Sequence, residues 1–280
     1  MFHPRQLITS FCLLVFLTAA HPALAQHSGP TYADDEARQS VTDMIDAHGG
    51  MQAWDAISSI SFMFFTRNSG APEPWLSRET IHTPTGRAYL DWPVLEAAIV
   101  WDGSDVWSDN WPPFAPPGFF VNLTYGFVTL PWQTQNAAFT ITSSDPAALP
   151  NDETIYTTVR LVPEGPMPTL PGTYYKLFID PESHLLKAVE FDIAHPGMVA
   201  NTSQPLGPNL HVFSDHRDSA GLLLPRYYES YGFNNRNRET SNAVHFMFDL
   251  SLNAPFDEAR MTQTANAVVD AQTGAHWVVR

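Results

Sequence analysis

From Ser58 to Leu250 the chain is a succession of short segments in which apolar and polar residues alternate, and only one stretch ahead of them has helical spacing. Ile60, Phe62 and Phe64 alternate with Ser59, Ser61 and Met63, the period of two that marks a half-buried strand. Further strands are expected at Arg78 to His82, Arg87 to Asp91, Ala97 to Trp101 and Asp105 to Ser108. They continue at Ala138 to Thr142, Glu153 to Val162, Tyr174 to Asp180 and Leu185 to Asp192. Leu210 to Ser214, Leu222 to Tyr231 and Ala243 to Leu250 complete the series; in the last, Val244, Phe246, Phe248 and Leu250 share a face, while His245 and Asp249 take the other. Asp102-Gly103 and Asp180-Pro181-Glu182-Ser183 supply turn chemistry between neighbours.

Ahead of the strands, Asp34, Asp35 and Glu36 suit the positive end of a helix, and Gly49-Gly50 supplies its stop. Ala37, Val41, Met44, Ile45 and His48 fall on one face of it. A short second turn through Met51, Trp54 and Ile57 leads into the first long strand. One amphipathic helix cannot cover both faces of so large a sheet. The expected fold is therefore mainly β (α+β): a curved antiparallel sheet or open half-barrel wrapped around an N-terminal helix. With no repeat and no linker, residues 33–280 read as a single domain.

The middle of the chain breaks this rhythm. Trp111-Pro112-Pro113-Phe114-Ala115-Pro116-Pro117-Gly118-Phe119-Phe120 cannot pair inside a sheet, because proline donates no ladder hydrogen bond. It is nonetheless strongly apolar, as is its continuation through Val121, Leu123, Tyr125, Phe127, Val128, Leu130 and Trp132. A short helix is expected between Gly118 and Leu130. Two readings stand: a hydrophobic connection folded onto the core, or a helical and irregular lid over a greasy cavity.

Residues 1–25 read as a secretory signal peptide, with His3 and Arg5 before an apolar run and Ala23-Leu24-Ala25 as the cleavage site. The run is too short for a membrane span. Residues 26–32 form a flexible leader, and the expected location is periplasmic or secreted. The only cysteine, Cys12, lies in the signal peptide and follows a bulky Phe11, which suits neither a disulfide nor lipid attachment. Cleavage takes one of the 14 basic residues and none of the 29 acidic ones. So acidic a chain repels phosphate backbones, which excludes nucleic acid as a partner.

The chain resembles the LolA/LolB-like lipoprotein-localisation-factor superfamily, in particular its uncharacterised periplasmic relatives. The residues carrying the resemblance are Ala47-His48-Gly49-Gly50 with Trp54 and the strand Ile57 to Phe65, then Val100-Trp101-Asp102-Gly103 with Trp107, and Leu130-Pro131-Trp132. Phe178-Ile179-Asp180-Pro181 with Leu185 and Leu186, and Leu224-Pro225-Arg226-Tyr227, complete the set. The resemblance implies an unclosed antiparallel barrel whose cavity shelters acyl chains or another apolar ligand.

Chemistry is sparse by comparison. No Gly-x-Ser-x-Gly elbow is present, and no His-Glu-x-x-His pair. Asp215-His216-Arg217-Asp218 is the nearest polar cluster, read as a solvated turn after a strand or, in a hydrolase, as part of an active site. Asp102 and Asp105 flank a hairpin but lack the oxygen-ligand spacing of a calcium loop. His48 reads as a helix C-terminal residue meeting free carbonyls. No catalytic, metal or cofactor site is assigned. The expected function is a binding or carrier protein for a lipid, a lipoprotein acyl chain or another apolar ligand, the rivals being a carboxylate- or His-dependent hydrolase and an envelope-assembly module that binds a protein partner. The cavity lining is assigned to Phe62, Phe64, Trp101, Trp107, Phe119, Phe120, Phe127 and Trp132, with Val94, Leu95 and Ile99 as secondary candidates.

Overall fold

A computed structural model describes residues 29–112, 115–136, 139–150, 152–165, 170–199, 205–232 and 240–270. The proposed signal peptide and residues 26–28 of the leader lie outside these residues. The strands are β1 (Thr31–Tyr32), β2 (Ile60–Asn68), β3 (Trp75–His82), β4 (Arg87–Trp92), β5 (Ala97–Trp101), β6 (Val106–Asp109) and β7 (Phe139–Ala148). They continue with β8 (Ile155–Pro163), β9 (Tyr175–Ile179), β10 (Leu186–Ile193), β11 (Leu206–Ser219), β12 (Leu222–Tyr231), β13 (Ala243–Leu252) and β14 (Val268–Val269). All fourteen belong to one curved, unclosed sheet in the order β1-β7-β8-β9-β10-β11-β12-β13-β2-β3-β4-β5-β6-β14. Its pairs are antiparallel except β1 with β7. The expected half-barrel is thus the observed fold.

Helix α1 (Asp35–Ala47) starts where its acids predict, and Ala37, Val41, Met44 and Ile45 are its buried residues. Asp34 caps it, accepting from Ala37 N at 2.7 Å, and its second oxygen accepts from Ser143 N in β7 at 3.0 Å. One side chain thus fixes both the helix start and its position on the sheet edge. These bonds hold the Asp34 carboxyl below its ordinary pKa. Asp34→Ala is expected to lower the melting temperature clearly more than Asp35→Ala, which removes only a charge from the first turn. Equal losses in a thermal melt would refute the dual role.

Helix α2 (Gly50–Asp55) follows at once, and Trp54 lies flat against Trp132 with ring centroids 4.7 Å apart. The proline-rich connection leaves β6 near one edge of the sheet and returns as β7 near the other. Between them it forms α3 (Pro117–Val121), a wide π-helical turn over Asn122–Gly126, and α4 (Leu130–Asn136). Pro131 has no N–H to donate, and the wide turn loosens the ladder, so side chains take over. Thr124 Oγ1 donates to Phe120 O at 3.1 Å, Thr129 Oγ1 to Tyr125 O at 2.6 Å, and Gln133 Nε2 to Gly126 O at 3.3 Å. The segment is a plug, buried across the concave face: Val121, Phe127, Val128, Leu130 and Trp132 are all 2% exposed or less.

Several local expectations are corrected. Strand β11 runs on to Ser219, so Asp215-His216-Arg217-Asp218 is not a turn but the end of a strand, with Asp215 at φ 52 skipped by the pairing. The apolar face of β13 is the convex one: the register Phe64↔Met247 and Thr66↔His245 turns His245 inward and leaves Phe246 and Phe248 exposed outside. That face is partly compensated by Phe65 and Tyr227, whose rings sit 5.9 and 4.8 Å from Phe246. Residues 31 and 32, expected as leader, form the edge strand β1.

Candidate functional site

The helix stop that carries part of the resemblance is a structural clamp. His48 Nδ1 donates to Leu223 O at 2.7 Å while its Nε2 accepts from Leu186 N at 3.0 Å, which fixes the tautomer. The ring therefore ties the end of α1 to β10 and β12 rather than to the helix carbonyls. His216 lies against it, 5.5 Å between centroids, with Nε2 enclosed and unpartnered. Asp215 instead pairs with exposed Arg217 at 2.9 Å. Among the described residues, His216 Nε2 meets no hydroxyl or carboxylate. Asp102 Oδ1 accepts from the Ser104 and Asp105 amides, at 2.8 and 2.9 Å, and so serves its own turn.

The concave face holds the candidate site. Between the plug and the sheet floor lies an apolar pocket of about 80 Å3, lined by Phe119 and Leu123 of the plug and by residues of β2, β3 and β10 to β13. A smaller void of about 20 Å3, lined by Phe64, Glu79, Phe120 and Thr124, adjoins it and shares Thr66, Trp75 and Leu123. A wider hollow of about 580 Å3 on the convex side is an open trough whose lining includes Asp215, Arg217, Arg226 and Asp249. Enclosure and apolar walls favour the concave pocket as a ligand site.

Polar side chains stand within this apolar wall. His245 bonds Thr66 Oγ1 at 2.9 Å and Ser230 Oγ at 2.8 Å, and burial pulls its pKa down to about 3. His211, its ring 6.0 Å from His245, is driven well below its ordinary pKa by burial and then by that neighbour. Glu79 accepts from Ser77 Oγ at 2.7 Å and is pushed up to about 7 by burial. Both imidazoles are thus neutral near neutral pH.

The assigned lining residues are divided by the fold. Phe119 lines the larger pocket; Phe64 and Phe120 line the smaller one. Phe127 stands behind the wall, its ring 4.6 Å from Phe191 and 4.5 Å from His211. Phe62, Trp101, Trp132 and Ile99 are in the main core and line neither void. Trp107 is on the convex face with Tyr89 and Val100, beneath Phe256 and Met261. Its neighbours Val106 and Ser108 take the inward positions, the one-residue offset that reverses a strand's faces. Val94 and Leu95 are exposed, at 84% and 40%. Sequence reasoning missed Asn209, His211, Asn242, His245 and Glu79.

A plugged open half-barrel with an apolar concave pocket defines the class. The chain has a LolA-like fold: it superposes on a LolA superfamily protein from Nitrosomonas europaea with a TM-score of 0.52 at 12% identity, covering 80% of this chain and 97% of that one. It is similar also to a DUF1329 family protein from Desulfovibrio piger, with a TM-score of 0.51 at 10% identity, covering 83% of this chain and all of that one (100%). No family profile matches the sequence. No curated protein matches it either.

Proposed function

We propose that this is an exported single-domain protein, periplasmic or secreted after cleavage near Ala25, that binds or carries an apolar ligand: a lipid, a lipoprotein acyl chain or a molecule of like character. The observation that carries this reading is the apolar pocket enclosed between the plug and the sheet floor. Its size adds a condition. At about 80 Å3 it is well below the roughly 300 Å3 at which ligand pockets usually begin. Ligand entry therefore requires Phe119 and Leu123 to move aside. Each ligand methylene then buried contributes about 0.8 kcal/mol, which offsets the exposure of plug side chains.

The test is uptake of an environment-sensitive neutral fluorophore. Ala243→Phe, which projects a ring from β13 into the pocket, is expected to weaken binding about tenfold, or ~1.4 kcal/mol. Phe127→Ala, which removes the backing of the wall, should weaken it in the same direction. Trp107→Ala, on the opposite face, should leave it unchanged. Absence of uptake by the wild type, or equal sensitivity at all three positions, would overturn the pocket assignment. Mass spectrometry of the natively purified protein would then identify any co-extracted lipid.

A further inference from the structure

The larger pocket, whose lining also includes Thr66, Asn68, Ser230, Asn242 and His245, has unanswered bonding positions on Asn209 and His211. Asn209, 2% exposed, donates through Nδ2 to Leu206 O at 2.9 Å, which leaves Oδ1 enclosed without a partner. His211, 3% exposed, has Nδ1 enclosed without a partner. The two residues are i and i+2 on β11, paired with Phe191 and Val189 of β10, so both face the concavity. His245 differs in having both ring nitrogens satisfied by hydroxyls. An enclosed donor or acceptor with no partner is costly, and a guest that pairs with it recovers that cost.

The charges around the pocket restrict the guest further. Its lining contains no Lys or Arg, and no Asp or Glu. The carboxyl of Glu79 lines the adjoining void. An anionic head would meet the Asn209 carbonyl oxygen with no cation to balance it. A cationic head would lack a carboxylate. An ester or ether accepts from the imidazole but gives Asn209 Oδ1 nothing. With the His211 proton on Nδ1, a hydroxyl does both: it donates to Oδ1 and accepts from the imidazole N–H.

Resting on the carrier reading above, we propose that the pocket selects uncharged amphiphiles with a hydroxyl head, held by Asn209 and His211 with the alkyl chain against Phe119, Leu123 and Phe191. The geometry distinguishes this from a general preference for greasy chains, which needs neither polar residue.

The experiment is competition against bound N-phenylnaphthylamine, a neutral fluorophore, by decanol, decyl methyl ether and decanoate at neutral pH. Decanol is expected to displace it at about a tenfold lower concentration than its methyl ether, with decanoate weakest. Asn209→Leu and His211→Phe should each shrink the alcohol-to-ether ratio to about twofold, both competitors being compared on the same variant. His211→Gln, which keeps a hydrogen-bonding head, should retain part of it. An ether as effective as the alcohol, or a ratio unchanged in Asn209→Leu, would overturn the hydroxyl assignment and leave the carrier reading standing. A wild-type protein that binds neither fluorophore nor decanol would overturn both.

Discussion

Gly49→Ala is expected to prevent stable folding, whereas Gly50→Ala, one residue on, is expected to cost only about 1–2 kcal/mol. Gly49 sits at φ 108, where an L side chain is strained, and a Cβ there would stand 2.0 Å from Gly221 O. The atom in the way is backbone, in the turn between β11 and β12, so it cannot swing aside. At Gly50, φ is 78 and the nearest atom is the Asp46 carboxylate oxygen at 3.6 Å, so only the backbone strain remains.

The close approach exists because the end of α1 is stitched to that hairpin. Leu223 N donates to His48 O at 3.1 Å, and the His48 ring spans Leu223 O and Leu186 N. Pushing the helix outward by an ångström or more would break all three bonds and strand buried backbone groups, at about 1–3 kcal/mol each. Added to the strain, this puts the Gly49→Ala cost above roughly 4 kcal/mol, a large share of a domain's stability. Urea unfolding of both variants decides the matter. Gly49→Ala unfolding no more readily than Gly50→Ala would refute the clamp.

The Ala47-His48-Gly49-Gly50 motif was legible in the sequence as a helix stop, but its partners were not, because Leu186 and Leu223 are distant in the chain. The same division runs through the molecule. α1 could be read from four apolar positions with His48 on the same face and from three acids, since a helix's face is a local property. Strand faces were less secure. Strands β6 and β11 are buried on both sides, by the main core within and by the smaller clusters around Trp107 and Leu210 outside. Alternation then no longer separates inward from outward positions, which is how Trp107 came to be assigned to the cavity. In β13 the larger aromatic residues face out and His245 faces in, so counting apolar residues points to the wrong face as the core.

The candidate site was the least legible part. Glu79, Asn209, His211 and His245 come from β3, β11 and β13, and meet only through long-range strand pairing. Each reads alone as a polar residue in a strand. One signal was available: Asn209 and His211 are polar residues at spacing two within an apolar stretch that contains Leu210, Val212 and Phe213. That pattern marks either a solvated face or a buried polar one, and burial decides between them.

Acid is expected to destabilise the protein from about pH 6.5 downward, before its carboxylates are titrated. His48, His195 and His216 are each lowered to about 4, chiefly by burial, His245 to about 3, and His211 well below its ordinary value. For each, the unfolded chain takes up a proton near pH 6.5 while the folded chain does not. Stability is therefore full above about pH 6.5 and is lost as the pH falls through the folded-state values. A shift of about two and a half units, as for His48 or His216, is worth roughly 3 kcal/mol, so these groups together weigh heavily against the 5–15 kcal/mol that usually holds a domain. Glu79 opposes them. Raised from 4.5 to about 7, it contributes most below 4.5 and loses that contribution as the pH rises to about 7. Glu79→Gln should thus be more stable than wild type by up to roughly 3 kcal/mol at about pH 8, with the difference vanishing near pH 4.5. Melting temperatures of both proteins across this range provide the measurement. A wild type equally stable at about pH 4 and 7 would contradict the neutral buried histidines. A pH-independent difference between the two proteins would show that folding does not shift the Glu79 pKa.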